Sequence, residues 1–306
     1  MNRIPAALRR KNSLLTLLVV ASAALLPAAT AHADLLSPES GGSPNADRID
    51  SLYWIIFGIA LFVFVIVMGA LIYSLVKFRA SKGAVAAQIR GNTRLEIGWT
   101  VGAAVILVAL ALVTFIKLDG IRTPENSGAA GLKLADGVLV ASSPEKQLPP
   151  NGKALNICVN GQQYIWRYTY ADDCTKSDFK SVFSYEEMVV PTDTTVTLDI
   201  TGQDVAHSWW IPKLGGKFDA VPGYVNHTWF KVPGSKAGTT FTGQCAELCG
   251  RNHANMTARV KAVTPSEFEA WMDKQKADTE TADKDAAVQR KQYEGSGTQT
   301  TTTETP

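Results

Sequence analysis

Two long apolar runs constrain the fold of this 306-residue chain more than any other feature. Residues 55–76 and 97–116 contain no charged side chain. A helix of about 20 apolar residues crosses the ~30 Å hydrocarbon core of a bilayer. Core helices of a soluble protein are the alternative, but two uncharged runs separated by a basic loop argue against them. The sequence therefore predicts a transmembrane hairpin over 34–117, with helices at about 53–76 and 97–116.

The segment between the two runs, 77–94, fixes the orientation of the hairpin. It has no acidic residue and five basic ones: Lys77, Arg79, Lys82, Arg90 and Arg94. Such loops stay in the cytoplasm. Both ends of the hairpin then face outward, and the chain beyond 117 lies on the outer side of the cell membrane.

The first 33 residues have the layout of a secretory signal peptide. A basic start precedes a short apolar core at 14–26, and Ala31-His32-Ala33 is typical of a cleavage site. An uncleaved anchor is the alternative. Cleavage would remove four positive charges and change the formal net charge from +2 to −2. The mature chain is therefore not predicted to be a basic nucleic-acid binder.

Beyond the hairpin the composition changes twice. Residues 118–152 are rich in Gly, Pro and Ser and are predicted to form a linker. Residues 153–277 contain alternating β-branched runs at 194–200, 226–232 and 256–263, which predict an all-β sandwich or barrel on the outer side. A short amphipathic helix is expected over 265–276, and a disordered tail over 278–306.

A metal-binding pattern lies near the end of the β-domain, in "GQCAELCGRNHANM" at 243–256. It reads Cys245-x-Glu247-x-Cys249-x3-His253-x2-Met256. A structural zinc site has no use for a methionine, and a disulfide between the two cysteines leaves the imidazole and the thioether unexplained. Thiolate, imidazole and a weak thioether are the ligands of electron-transfer copper. Two cysteines allow two bridges between two coppers, which requires a second histidine elsewhere.

Two other histidines remain after the predicted cleavage. His207 follows a strand in "GQDVAHSWWIP", and His227 lies inside the alternating run "YVNHTWF". A histidine within a strand is more often structural than a ligand, so we expect His207 to be the second imidazole.

These segments carry a family resemblance. "DVAHSWWIPKLGGKFDAVPGYVN" followed by "FTGQCAELCGRNHANM" resembles subunit II of the cytochrome c oxidases, the CuA-containing subunit of haem-copper oxidases. The resemblance spans about 50–275 and implies a two-helix transmembrane hairpin followed by a cupredoxin-type Greek-key β-barrel. It also implies one ligand set for two copper ions: His207, Cys245, Glu247, Cys249, His253 and Met256.

The resemblance assigns each ligand a role. Cys245 and Cys249 bridge the coppers, and His207 and His253 each cap one of them. Met256 supplies one axial contact, and a backbone carbonyl supplies the other.

That carbonyl belongs to Glu247, for which the resemblance implies a second role. The Glu247 carboxylate is expected to reach a magnesium ion shared with subunit I. The alternative is a solvated loop acid.

Three further positions are candidates by resemblance. Tyr164 and Trp166 in "GQQYIWRYTY" align with aromatic residues of the electron-entry route, Tyr164 at the place where many relatives have tryptophan. The plain interpretation, preferred for Trp166, is a core or edge-strand position. Glu96 in "RLEIGWT" is a candidate for the cytoplasmic mouth of a proton path, although an acid at a membrane interface is often idle.

Cys158 and Cys174 flank the aromatic stretch. Outside the membrane a disulfide across a local hairpin is permitted, and two free buried thiols are the alternative.

The resemblance implies the electron-entry subunit of an aa3-type cytochrome c oxidase, which takes electrons from cytochrome c and passes them to haem in subunit I. Oxygen reduction there is coupled to proton pumping. Expected partners are subunits I and III, cytochrome c and the lipid membrane. A quinol oxidase subunit, nitrous oxide reductase and a copper carrier are the rivals. Six acids are candidates for a donor-docking patch, with scattered surface charge as the alternative: Asp172, Asp173, Glu186, Glu187, Asp193 and Asp204.

Overall fold

The computed structural model of the chain describes residues 37–79, 81, 83, 85, 87–128, 148–174 and 181–296. It consists of two long apolar helices followed by a β-domain, which confirms the predicted fold class. The proposed signal peptide at 1–33, most of the predicted linker and the last ten residues lie outside the described residues.

Helix α1 spans Pro44–Lys77 and helix α2 spans Thr93–Arg122. Both are long and apolar enough to cross a membrane, and their apolar windows are not buried against protein. Each extends beyond its predicted apolar run at the outer end. Pro44 suits the first position of α1, because a backbone N–H at that position would have no hydrogen-bond partner within the helix. The positive charge of Arg122 is favourable beside the carboxyl terminus of α2.

Ten strands in three sheets form the β-domain. They are β1 (Leu155–Gln162), β2 (Ile165–Tyr170), β3 (Phe183–Tyr185), β4 (Glu187–Pro191), β5 (Thr195–Gly202), β6 (His207–Trp209), β7 (Phe218–Ala220), β8 (Asn226–Lys231), β9 (Thr240–Gln244) and β10 (Thr257–Val263). One sheet has the order β3-β2-β1-β5-β8, a second β4-β10-β9, and β6 pairs with β7. The three strand runs predicted from alternation correspond to β5, β8 and β10.

The core of the domain lies between the two larger sheets. Alternate residues of β1 and β5, such as Ile157 and Leu198, pair in parallel register and are fully buried. Val190 and Val260 are buried residues of the facing sheet and belong to the same apolar cluster. Burial of each such side chain stabilises the fold by about 1.5–3 kcal/mol.

Cys158 and Cys174 form a disulfide in this structure. The bond links β1 to the loop that follows β2. The structure therefore shows the disulfide and not the alternative of two free buried thiols.

Helix α3 spans Pro265–Ser296 and is much longer than the expected 265–276. Its first turns pack Phe268 and Trp271 against Tyr170 of β2. Residues 277–296 include no proline and are rich in Ala, Lys, Glu, Asp and Gln, so the helix continues without a packed face. An ion pair between Lys274 and Asp278, one turn apart, supports it weakly.

The outer ends of the hairpin contact the β-domain through buried polar groups. The Asn45 side chain donates to the Trp229 carbonyl at 2.7 Å, and the Trp229 indole donates to the Ile121 carbonyl at 3.0 Å. The Lys231 amide donates to the Ser43 hydroxyl at 3.1 Å. Strand β8 is therefore joined to both transmembrane helices.

The junction predicts the effect of Asn45→Ala. The Asn45 side chain is almost fully buried, and its oxygen also accepts from Ser43 and from the Ala46 amide. Its loss leaves several buried groups without partners, so we expect a destabilisation of about 2–3 kcal/mol. The measurement is denaturant unfolding of the full chain in detergent, followed by tryptophan fluorescence.

The control is Asn151→Ala, at an exposed turn where the side chain accepts from the Lys153 amide. Equal stability losses in the two variants would contradict the role given to Asn45.

Candidate metal centre

The loop between β9 and β10 carries five of the six predicted ligand residues. Pairing of Gln244 with Thr257 brings its two ends together, and the Cys245 amide donates to the Met256 carbonyl at 2.8 Å. A single 3-10 turn at His253–Asn255 then directs the chain back toward the loop base. The loop therefore folds over its own cysteines.

The sixth predicted ligand, His207, is supplied by strand β6. This strand lies against the loop because the Ala246 amide donates to the Ser208 carbonyl at 2.9 Å. Close approach also depends on Gly243, where a Cβ atom would lie 1.8 Å from the Trp210 carbonyl oxygen. His207 is fully buried.

Two thiols and two imidazoles meet at this point. The Cys245 and Cys249 sulfurs are 3.9 Å apart, far beyond the ~2.05 Å of a disulfide bond. His207 Nδ1 is 3.9 Å from the Cys245 sulfur, and His253 Nδ1 is 3.6 Å from the Cys249 sulfur. Each thiol thus has its own imidazole.

The two expected axial groups lie at opposite thiols. The Met256 sulfur is 3.8 Å from the Cys249 sulfur, and the Glu247 carbonyl oxygen is 3.2 Å from the Cys245 sulfur. The structure therefore brings all six predicted ligand residues into one cluster. The rejected candidate, His227, pairs with Asp199 instead, at 2.7 Å.

The buried Cys249 thiol resists ionisation on its own. Burial, and then the neighbouring Cys245, raises the pKa of Cys249 to about 11. Two adjacent thiolates in an apolar site require cations to compensate their charge. Soft donors paired with imidazole nitrogens fit copper, and the added thioether favours copper over zinc.

Asp204 orients His207 from behind. Its carboxylate accepts from His207 Nε2 at 2.8 Å and from the Gln163 amide at 2.7 Å. Burial alone would raise the pKa of Asp204, but these bonds and one from the Val205 amide lower it. With Nε2 donating to Asp204, His207 Nδ1 is left with its lone pair toward the thiol, the arrangement that metal-binding histidines use.

Both electron-entry candidates lie beside the cluster. Trp166 is fully buried, and its ring centre is 5.9 Å from that of His207. The Tyr164 hydroxyl lies against Gly250, and the Gln163 side chain donates to the Cys249 carbonyl at 2.6 Å. The sequence analysis did not identify Gln163, although it adjoins Tyr164. It also gave Asp204 no role at the metal site, although Asp204 precedes His207 by only three residues.

Glu96 lies elsewhere. It is in the first turn of α2, where its carboxylate accepts from the Asn92 amide at 3.1 Å. The helix continues for 26 residues to Arg122, about 39 Å at 1.5 Å per residue, before the β-domain is reached. The structure therefore gives Glu96 a local capping contact and does not bring it to the metal cluster.

A transmembrane hairpin and an outer β-domain with buried thiols and imidazoles define a membrane-anchored protein with a metal centre outside the membrane. Comparisons with known proteins agree with this class. Family models match in two parts: cytochrome C oxidase subunit II, transmembrane domain, over 32–116, and the periplasmic domain of the same subunit over 155–263. The chain therefore belongs to the cytochrome c oxidase subunit II family, which implies copper.

Individual relatives carry the same name. The chain is 32% identical to "Cytochrome c oxidase subunit 2" of Alkalihalophilus pseudofirmus over 254 residues, covering 81% of this chain and 65% of that protein. It is 32% identical to "Probable cytochrome c oxidase subunit 2" of Rickettsia bellii, covering 75% and 80%. The solved periplasmic domain of subunit II of cytochrome oxidase from Bradyrhizobium japonicum is 33% identical, covers 41% of this chain and 95% of that one, and has a TM-score of 0.36.

The approach of β6 to the loop predicts a large effect of Gly243→Ala. The added methyl group would overlap the Trp210 backbone, so β6 and His207 must move away from the thiols. We expect a destabilisation of about 1–3 kcal/mol and a reduced metal content, measured by unfolding and by elemental analysis. Gly216→Ala is the matched control, since a Cβ there meets its nearest neighbour at 3.8 Å. Full metal content in Gly243→Ala would contradict the packing argument.

Asp204→Asn tests the orientation of His207. The amide keeps the size of the side chain but removes the charge that holds Nε2, so we expect metal affinity to fall by about 10–100-fold. The measurement is competition with a chelator of known affinity. Asp219→Asn, at an exposed position of β7, is the control and should leave affinity unchanged. Equal affinity in both variants would exclude the positioning role.

Proposed function

We propose that this chain is subunit II of an aa3-type cytochrome c oxidase. In this role it accepts electrons from cytochrome c at a dinuclear CuA centre and passes them to haem in subunit I, where oxygen reduction is coupled to proton pumping. The observation that carries the proposal is the convergence of two thiols, two imidazoles and a thioether at one buried loop, in a chain of this family.

The ligand roles follow from the side chains that face each other. Cys245 and Cys249 would together hold two copper ions, and His207 and His253 would each supply a nitrogen ligand to one of them. Met256 would add a weak thioether contact. Such a pair, when bound, supplies one-electron transfer without an open coordination position for substrate.

The second axial contact comes from the Glu247 carbonyl, which leaves the carboxylate of this exposed residue for another task. We assign it to a magnesium ion shared with subunit I. Magnesium prefers oxygen ligands, and an exposed carboxylate on this loop can supply one.

Electron entry is assigned to Tyr164 rather than to Trp166. Tyr164 is partly exposed and touches the loop at Gly250, one residue from a bridging cysteine. Trp166 is sealed in the core behind His207 and serves to hold that ring, as the plain interpretation of the sequence suggested. A donor on the outer surface therefore meets Tyr164 first.

The remaining assignments concern the other subunits. The hairpin is proposed to pack in the membrane beside subunits I and III, with the haem chemistry in subunit I. Glu96, at the cytoplasmic end of α2, is the candidate for the mouth of a proton path. Its contact with Asn92 is compatible with a residue that is held at the water interface.

Electron paramagnetic resonance of the purified, copper-loaded protein tests the central assignment. We expect a mixed-valence signal shared by two copper nuclei and two coppers per chain. Cys245→Ser and Cys249→Ser should each abolish this signal and lower cytochrome c oxidation by at least about 100-fold, since either change removes a bridge.

The matched control makes the same cysteine-to-serine change elsewhere in the β-domain. A Cys158→Ser, Cys174→Ser double variant should keep the two-copper signal, because the disulfide lies outside the cluster. A four-line signal from a single copper, or zinc in the folded protein, would overturn the proposal.

A further inference from the structure

A cavity of about 410 Å³ lies where the outer ends of α1 and α2 meet the β-domain. Ile49 of α1 and Ile121 and Arg122 of α2 form one side, and Phe218 and Val225 form part of the other. Its volume falls in the range of sites for small organic molecules, about 300–1,000 Å³. It is separate from the copper cluster, since no proposed copper ligand lines it.

The cavity lies at the outer edge of the lipid headgroup layer. The uncharged run of α2 ends at 116, so Arg122 is six residues further out, or about 9 Å along the helix. The uncharged run of α1 begins at 55, which places Ile49 about 9 Å out as well. The polar layer of one leaflet is roughly 5–8 Å thick, so both backbone positions lie just beyond it, and the long Arg122 side chain can reach back into it.

Arg122 brings an uncompensated positive charge to this cavity. Within the part of the chain that the structure describes, its guanidinium forms no ion pair, whereas the nearby Arg48 is paired with Glu125. No carboxylate lines the cavity. A planar guanidinium can donate two parallel hydrogen bonds to a phosphate, which makes arginine the preferred partner of phosphodiesters.

The remaining walls suit the rest of a lipid. Ile49, Ile121 and Val225 contribute apolar surface to the walls of the site. The Trp229 indole N–H does not compete with Arg122 as a donor to the phosphate, because it already donates to the Ile121 carbonyl. His227 lines the cavity too, with its Nδ1 held by Asp199 at 2.7 Å.

We propose that this cavity binds the phosphodiester headgroup of an outer-leaflet phospholipid. Arg122 contacts the phosphate, and Ile49 and Ile121 contact the carbon atoms of the headgroup. The bound lipid fills the gap between the hairpin and β8, next to the polar junction that joins them.

Native mass spectrometry of the full chain, extracted in mild detergent with whatever subunits accompany it, tests the proposal. The probe is palmitoyl-oleoyl phosphatidylglycerol in mixed micelles. We expect one tightly retained lipid per chain, and in Arg122→Gln an affinity about tenfold lower or weaker, as for loss of a charged hydrogen bond. Arg94→Gln, which removes the same charge at the cytoplasmic end of the same helix, should retain the lipid.

A second variant guards against misfolding at position 122. Gly216 lines the cavity, and a Cβ atom there meets its nearest neighbour only at 3.8 Å, so the first atom of a new side chain is tolerated. The rest of the leucine in Gly216→Leu should then occupy the cavity and expel the lipid with the charge intact. Unchanged retention in Gly216→Leu, or equal losses in Arg122→Gln and Arg94→Gln, would overturn the proposal. So would displacement of the lipid by millimolar inorganic phosphate, which would identify a free-anion site instead.

Discussion

The cluster of candidate metal ligands depends on one backbone closure. Pairing of β9 with β10 returns the chain to its starting point after twelve residues, and the Cys245 amide bonded to the Met256 carbonyl completes the closure. Without it the two thiols would belong to a mobile loop, free to form a disulfide. Fixed at 3.9 Å, they are too far apart to bond and close enough to share metal ions. The β-sandwich thus serves the site by supplying two strand ends that cannot separate.

A second constraint is the fixed position of the domain above the membrane. The proposed electron transfer to a partner within the membrane would require a stable distance, and a flexible tether at the helix ends would not provide it. Here Ser43 and Asn45 are buried against β8, and Trp229 reaches back to α2. Unsatisfied polar groups at such a junction would be costly, so each bond acts as a geometric restraint as well as a source of stability.

The sequence was sufficient for features that depend on local pattern. The length of the two uncharged apolar runs predicted both membrane helices. The alternation of β-branched residues predicted β5, β8 and β10. The spacing of the residues from Cys245 to Met256 predicted a ligand loop. The sequence was insufficient where tertiary contacts decide. Asp204 is an ordinary surface acid in the sequence, and only the approach of β6 to the start of β2 shows that it holds His207. The predicted α3 was too short because we expected the helix to end where its amphipathic pattern ends. The helix instead continues to Ser296, stabilised by the helix propensity of its residues alone.

Three of the six candidate docking acids are engaged in local contacts. Asp204 is engaged with His207, Glu186 pairs with Arg259, and Asp193 accepts from the Gly234 amide. Asp172 and Asp173 follow the far end of β2, about 20 Å along the strand from the Tyr164 side. Within the loop between β9 and β10, Leu248 is 77% exposed. Under the proposed function, an exposed leucine in this loop favours brief, close contact with the donor over long-range steering, because apolar contact acts only after water is displaced.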